Sequence, residues 1–165
     1  MREARYRQPY RWTRSNTLVA VLVGGLLLSL PWFQLNIEPS VPLGLYHLHA
    51  VQAPLTYGML VILPVPVSVE RWHVRSTPLL KPVAAVGGDV VCVDHGTLYI
   101  GMEPYGQVHT EADGTPLPHM TGCLRVREGE VFVASKESRS LDSRYFGPVR
   151  VEDLTAWATP VITWR

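Results

Sequence analysis

The chain has 165 residues and a mass of 18.5 kDa, which is enough for a short membrane segment and about one domain of ordinary size. Its formal net charge is +1, from 15 basic and 14 acidic residues. Five of the basic residues lie within the first fourteen positions: Arg2, Arg5, Arg7, Arg11 and Arg14. The rest of the chain is close to balanced, which argues against a nucleic-acid-binding face.

The first predicted element is a membrane anchor over residues 16–35. No charged residue occurs in 15–37, and an apolar run of this length can span a hydrocarbon core about 30 Å thick. The basic residues 1–15 are expected to stay in the cytoplasm, which places residues 36–165 on the other side of the membrane. A cleavable signal peptide is the rival interpretation, because the most apolar part is moderately short and Pro31 follows it. The absence of a small-x-small cleavage motif favours the uncleaved anchor.

The sequence after the anchor predicts a mostly β, antiparallel domain. Short stretches rich in β-branched and aromatic residues recur there, separated by glycine, proline or Asp-Gly turn signals. They are YGMLVILPV, PVAAVGGDVVCV, TLYIG, CLRVREGEVFVAS and TAWATPVITW. A short helix is expected near SVERWHV, whereas 14 prolines and 13 glycines argue against long helices in this part. Residues 94–122 are polar and turn-rich, and we expect them to form an excursion from the main sheet.

The six histidines and two cysteines do not match a metal-binding pattern. His47 and His49 are two apart in a predicted strand, and neither an HExxH nor a CxxC motif is present. No metal and no cofactor are therefore predicted. Cys92 and Cys123 flank the excursion, and outside the cytoplasm they are candidates for a disulfide. Two buried free thiols are the alternative.

Lys81 is unusual because it lies within the apolar run PLLKPVAAVGGDVV. Burial lowers the pKa of a lysine, and a neutral lysine can act as a general base toward a serine hydroxyl. The alternative is a structural lysine whose ammonium reaches solvent from the end of a strand. A Ser-His-Asp triad is not indicated, because no GxSxG motif is present and no histidine is singled out by its neighbours.

Three further segments follow the anchor in a fixed order: EPSVPLGLY, LLKPVAAVGGDVV and SLDSRYFGPV. Together they resemble the sequence boxes of the type I signal peptidase (S26-like) family, and in particular its conjugative-transfer branch of TraF-type peptidases. The resemblance implies a signal-peptidase-like antiparallel β fold and a serine endopeptidase with a Ser/Lys dyad. Ser40 matches the nucleophile and Lys81 the general base. Ser140 matches a serine that orients the lysine, and Asp142 and Arg144 match an ion pair that supports the site.

The residues around Ser40 suggest how its hydroxyl is presented. Pro39 and Pro42 fix φ on both sides, and Pro42 restricts Val41 to an extended backbone, so Ser40 would lie in a stiff turn. Its backbone N–H is expected to face a developing oxyanion. Five residues past Leu35 extend at most about 18 Å, which predicts that Ser40 lies near the bilayer surface.

The sequence departs from the family pattern at two places. The wider family often has Ser or Thr two residues before the nucleophile, where its hydroxyl helps to hold the oxyanion, but this chain has Glu38. A carboxylate there opposes negative charge, so Glu38 points away, stays protonated, or leaves the oxyanion to backbone donors alone. The GDN segment of housekeeping signal peptidases is replaced by ASKES at 134–138, which favours the TraF-like branch.

The resemblance also implies a substrate and a compartment. We expect a membrane-associated precursor, such as a pilin subunit of a conjugation system, to be cut on the periplasmic side of a bacterial inner membrane that the anchor crosses once. Cyclisation of the pilin, by attack of its own amine on the acyl-enzyme, is a second outcome. The expected partners are this precursor and membrane lipid. Two alternatives stay open: a housekeeping signal peptidase that removes secretory leaders, and a non-catalytic anchored β domain of a secretion channel.

Overall fold

The computed structural model describes residues 13–29, 31–72 and 78–164. Antiparallel strands make up most of its regular structure, which confirms the mostly β, antiparallel part of the predicted fold class. In chain order the strands are β1 Phe33–Asn36, β2 Leu43–His49, β3 Leu60–Leu63, β4 Leu79–Val86, β5 Val90–Asp94, β6 Thr97–Ile100, β7 Glu103–Gln107, β8 Glu111–Ala112, β9 Thr115–Pro116, β10 Gly122–Arg125, β11 Glu130–Val133, β12 Val149–Arg150 and β13 Ala156–Trp164.

The helices of the described residues are short. Helix α1 spans Arg14–Ser29 and helix α2 spans Ser143–Phe146, and two 3₁₀ helices occupy Val67–Trp72 and Val151–Asp153. The first of these 3₁₀ helices coincides with the short helix predicted near SVERWHV. The end of that segment falls in 73–77, outside the described residues.

The structure differs from the predicted anchor over 16–35 at its end. Helix α1 stops before Pro31, which has no N–H to donate and whose ring hinders continuation of a helix. The residues that follow form β1, because their main chain pairs with β2. Residues 33–35 of this strand also fall within the predicted anchor, because they are uncharged, a property that a strand shares. Across the described ranges, no helix is both long enough and apolar enough to cross a membrane.

The main sheet has seven strands in the order β1-β2-β13-β3-β4-β11-β12. Strand β3 is buried on both faces, as its continuous apolar run indicates: Val61, Ile62 and Leu63 are at most 1% exposed. Strand β4, which carries Lys81, contributes side chains to all three apolar clusters of the molecule. Lys81 therefore extends from one of the most firmly packed strands.

Strand β13 approaches β2 very closely at Gly44. A Cβ at this position would collide with the main-chain carbonyl oxygen of Ile162. The pairing of β13 with β2 is irregular at this point, because the register shifts between Pro160 and Ile162. Glycine is thus needed to lock the strand that follows the Ser40 segment against β13.

The turn-rich region forms a second sheet with the order β10-β5-β6-β7, and β8 pairs with β9 in a separate two-stranded sheet. The second sheet extends beyond the predicted excursion 94–122, since most of β5 and most of β10 lie outside that range. Cys92 and Cys123 face each other across these two strands and are joined in a disulfide. Closing a loop of this size contributes on the order of 3 kcal/mol in the chain-entropy model.

Candidate active site

Ser40 lies in the turn between β1 and β2, and the buried side chain of Asn36 holds this turn from inside. The Asn36 amide nitrogen donates to the main-chain carbonyls of Glu38, Val41 and Pro42 at 2.8, 3.2 and 3.1 Å. Its Oδ1 accepts from the N–H of Glu38 at 3.3 Å. The backbone on both sides of Ser40 is therefore fixed by one side chain that the sequence did not single out.

Asn36→Ala should lower the free energy of unfolding by about 1–3 kcal/mol, because it leaves buried main-chain groups of the turn without partners. Urea denaturation followed by circular dichroism measures this loss. Gln34→Ala in the same strand is the matched control, since the side chain of Gln34 makes a long, exposed hydrogen bond to Pro78. Equal denaturation midpoints for the two variants would show that Asn36 does not hold the turn.

Lys81 reaches Ser40 from β4. Its Nζ donates to Ser40 Oγ at 2.8 Å, and the lysine is 1% exposed. Burial has the largest influence on the pKa of Lys81 and lowers it, whereas the charges of Glu38 and Asp142 raise it and that of Arg144 lowers it. The net direction is downward. The Lys81 amine is therefore neutral in a larger fraction of molecules than the amine of a solvent-exposed lysine. The apolar run around Lys81 indicates a change in this same direction.

The carboxylate of Glu38 faces this lysine. One of its oxygens lies 3.6 Å from Lys81 Nζ, and its side chain is 30% exposed. The negative charge beside Ser40 therefore has a cationic partner when Lys81 is protonated, an arrangement that the sequence alone did not indicate.

Asp142 and Arg144 form an ion pair in which both side chains are fully buried. Arg144 Nε and Nη2 contact the two carboxylate oxygens at 2.8 and 2.7 Å. Arg144 also donates to the main-chain carbonyls of Gln107, Ser135 and Glu137 at 2.8, 2.7 and 3.2 Å. Burial lowers the pKa of Arg144, but the hydrogen bond and charge of Asp142 outweigh it, and the net pKa is raised.

Ser135 connects this ion pair to the turn that carries Ser40. Its hydroxyl donates to the main-chain carbonyl of Ser40, and its N–H donates to Asp142 Oδ2 at 3.0 Å. Sequence reasoning missed Ser135, although it belongs to the ASKES segment noted as a departure from the housekeeping enzymes. Because the Ser135 hydroxyl binds a main-chain carbonyl far away in sequence, residue type alone gave little signal.

Ser140 does not make the contact that the resemblance implied. Its side chain is buried and lines the same cavity as Ser40 and Lys81, which has a volume of about 220 Å³. However, its hydroxyl has no hydrogen-bond partner among the described residues. No hydrogen bond from Ser140 to Lys81 is therefore present.

Two clefts meet at Ser40. The cavity of about 220 Å³ lies on the side of Lys81 and Glu38, and a wider cleft of about 550 Å³ is lined by Pro42, Lys136 and Trp164. Ser40 contributes to both. A peptide bound in an extended conformation across Ser40 would place one of its peptide bonds next to the Ser40 hydroxyl. The residues before that bond would contact one cleft, and the residues after it would contact the other.

Comparison with known proteins agrees with this architecture. A family model described as "Signal peptidase, peptidase S26" matches residues 11–164, and the chain belongs to this family. The relatives place it in the TraF type. The conjugal transfer protein TraF of Agrobacterium tumefaciens (strain 15955) is 35% identical over 148 residues, which cover 81% of this chain and 84% of that protein. The conjugal transfer protein TraF of Agrobacterium fabrum is 30% identical over 165 residues, which cover 91% and 89%.

Among solved structures, a signal peptidase I from Enterococcus faecalis aligns with 69% of this chain and 100% of that one, at 21% identity and a TM-score of 0.39. The family assignment rests on the sequence matches.

Proposed function

We propose that this chain is a membrane-anchored serine endopeptidase that processes a membrane-associated precursor, a pilin subunit of a conjugation system. The observation that carries the catalytic part is the 2.8 Å contact between Nζ of the buried Lys81 and Oγ of Ser40. Because burial lowers the pKa of Lys81, its amine is suited to accept the proton of the hydroxyl.

In the proposed reaction, Lys81 takes the proton of Ser40 as Oγ forms a bond to the carbonyl carbon of the scissile peptide. The Lys81 ammonium then gives this proton to the leaving nitrogen, and the C–N bond breaks. The N-terminal portion of the substrate remains as an ester on Ser40. A water molecule, deprotonated by Lys81 in the same way, hydrolyses the ester and restores the hydroxyl. If the amine of the pilin itself attacks the ester, the product is a ring.

Exposed apolar side chains near the site support membrane anchoring. Leu35 and Ile162 share the cross-strand neighbour Leu45, so they lie in one row across the sheet face. They belong to a group of residues that are 42–63% exposed: Trp32, Leu35, Ile37, Ile162 and Trp164. An apolar surface with aromatic residues suits a membrane interface, and it directly follows the apolar helix α1. Retention of the chain in membranes washed with alkaline carbonate tests the anchor, and its release would contradict it.

The names of the relatives support the choice of substrate. Two are conjugal transfer proteins, and a further relative, 29% identical over 177 residues, is a plasmid transfer protein TraF of Escherichia coli. A precursor that emerges from the inner membrane on the periplasmic side would reach Ser40 close to the bilayer.

The test compares Ser40→Ala with Ser68→Ala, an exposed serine on the first 3₁₀ helix, in cells that make the pilin precursor of the same transfer system. Ser40→Ala should accumulate unprocessed precursor, and Ser68→Ala should not. Normal maturation with Ser40→Ala would exclude the proposed mechanism and favour a non-catalytic role. Accumulation of secretory leaders instead of the pilin precursor would indicate a housekeeping peptidase. Intact-mass analysis of the mature pilin separates hydrolysis from cyclisation, because a ring lacks one water.

A further inference from the structure

Lys81 has polar neighbours on two sides. Its Nζ lies 2.8 Å from Ser40 Oγ and 3.6 Å from a carboxylate oxygen of Glu38. The hydroxyl of Ser140 is buried in the same cavity, yet it makes no hydrogen bond within the described part of the chain. The amine therefore lies close both to the Ser40 hydroxyl and to a carboxylate two residues before Ser40.

The position of Glu38 is set by its backbone. Its N–H donates to Asn36 Oδ1 at 3.3 Å, and its carbonyl accepts from Asn36 Nδ2 at 2.8 Å. Pro39 follows and disfavours a helical conformation of Glu38. The carboxylate is partly solvated, at 30% exposure, whereas the lysine that it faces is 1% exposed. Glu38 thus reaches a buried amine without itself being fully desolvated.

We propose that Glu38 is a positioning residue that completes a Ser40–Lys81–Glu38 triad, in which its carboxylate orients the amine and stabilises the ammonium that forms during attack. This inference rests on the proposed function, because it concerns the same proton transfer. When Lys81 takes the Ser40 proton it gains a full positive charge, and a carboxylate 3.6 Å away stabilises the charged form more than the neutral one. The carboxylate of a Ser-His-Asp triad acts on its histidine in the same manner.

Other charged groups also face Lys81. After burial, which lowers the pKa of Lys81, the largest influence is the charge of Glu38, which raises it. Asp142, which caps the N-terminus of α2, raises it as well, and Arg144 lowers it; these two groups pair with each other. Glu137 and Arg139 line the same cavity with opposite charges. Glu38 is therefore the charged group whose removal should change the pKa of Lys81 most.

The triad predicts a specific change in the pH profile of cleavage. In Glu38→Gln, more of the amine is neutral at low pH, so the rate below the wild-type midpoint should rise by roughly threefold or more. At high pH, where Lys81 is neutral in both proteins, the rate should fall by roughly tenfold, because the forming ammonium is less stabilised. The two profiles should therefore cross. A purely structural role would lower the rate at every pH without moving the midpoint.

A second measurement follows the protonation of Lys81 directly and does not depend on cleavage of a substrate. The chain contains two lysines, Lys81 and Lys136, so labelling the lysine ε-carbons with ¹³C gives two signals, and Lys136→Arg removes one of them. We use the full chain in detergent micelles, with Ser40→Ala and Lys136→Arg as the background. Glu38→Gln should move the titration midpoint of Lys81 to lower pH, and Glu137→Gln should move it less.

The outcomes separate this inference from the proposed function. A Lys81 midpoint that is unchanged in Glu38→Gln, or that moves equally in Glu137→Gln, would overturn the role of Glu38, whether or not Ser40→Ala abolishes cleavage. Parallel pH profiles that do not cross would also overturn it. If the midpoint moves as expected but Ser40→Ala still cleaves, the proposed peptidase mechanism fails, and the triad fails with it.

Discussion

Lys81→Met should abolish cleavage while the protein remains folded. Loss of a general base typically lowers a rate by roughly a hundredfold to ten-thousandfold. Methionine has a similar length and no charge to desolvate, so the packing of β4 should tolerate it. Cleavage of the pilin precursor in membranes, with circular dichroism of the purified variant, measures both effects. Substantial cleavage by Lys81→Met would remove Lys81 from the mechanism.

Lys81→Arg is the companion variant, because a guanidinium keeps the positive charge but does not deprotonate at any working pH. It should be inactive across the pH range, whereas the wild-type rate should rise as pH passes through the lowered pKa of Lys81. Recovery of activity by the arginine variant at high pH would mean that another group acts as the base.

The pH dependence of stability gives Lys81→Met a second readout. The pKa of Lys81 is lower in the folded protein than in the unfolded chain, where it is about 10.4. Between these two pKa values the unfolded chain binds more protons, so the free energy of unfolding of the wild type rises with pH. Lys81→Met lacks this contribution. It should be more stable than the wild type at neutral pH, and the difference should shrink as pH rises.

Arg144→Met should lower the free energy of unfolding by about 3–5 kcal/mol, because it leaves the carboxylate of Asp142 buried without a partner. It also removes hydrogen bonds that link β7 to the segment around Ser135. Urea denaturation of the purified protein measures this loss. The effect on stability should be the largest of any substitution at the site.

A double variant, Asp142→Asn with Arg144→Met, tests the reason for that loss. Asparagine keeps the capping interaction at the start of α2 and removes the unpaired charge. The double variant should therefore be more stable than Arg144→Met alone. If it is equally unstable or worse, the lost stability comes from the hydrogen bonds of the guanidinium rather than from the stranded carboxylate.

The parts of this structure that the sequence predicted depend on local patterns. The strands β3, β4, β11 and β13 are predictable because they are short stretches rich in β-branched and aromatic residues, separated by turn signals. The closeness of Ser40 and Lys81 followed from two segments that resemble one family. In contrast, the predicted anchor includes residues 33–35 of β1, because they are uncharged and their pairing with β2 depends on residues farther along the chain.

The supporting side chains of the site were harder to predict than the central pair. Asn36 and Ser135 act through hydrogen bonds to main-chain carbonyls, and any residue supplies such a carbonyl. No pattern of side-chain types therefore marks their partners. The contact between Glu38 and Lys81 depends on the direction of a flexible side chain, which the sequence does not specify. Ser140 shows the converse, since its position in a recognisable segment implied a hydrogen bond that the fold does not provide.

The place of β13 in the main sheet bears on when the site comes together during synthesis. Ser40 precedes β2 and Lys81 lies on β4 beside β3, but β13 is inserted between β2 and β3. Both residues leave the ribosome well before β13, and until it arrives the two parts of the sheet have no strand to join them. Such long-range pairing forms late and slowly. A nascent chain would thus carry Ser40 and Lys81 apart from each other, and the proposed peptidase activity would be absent until the domain is finished.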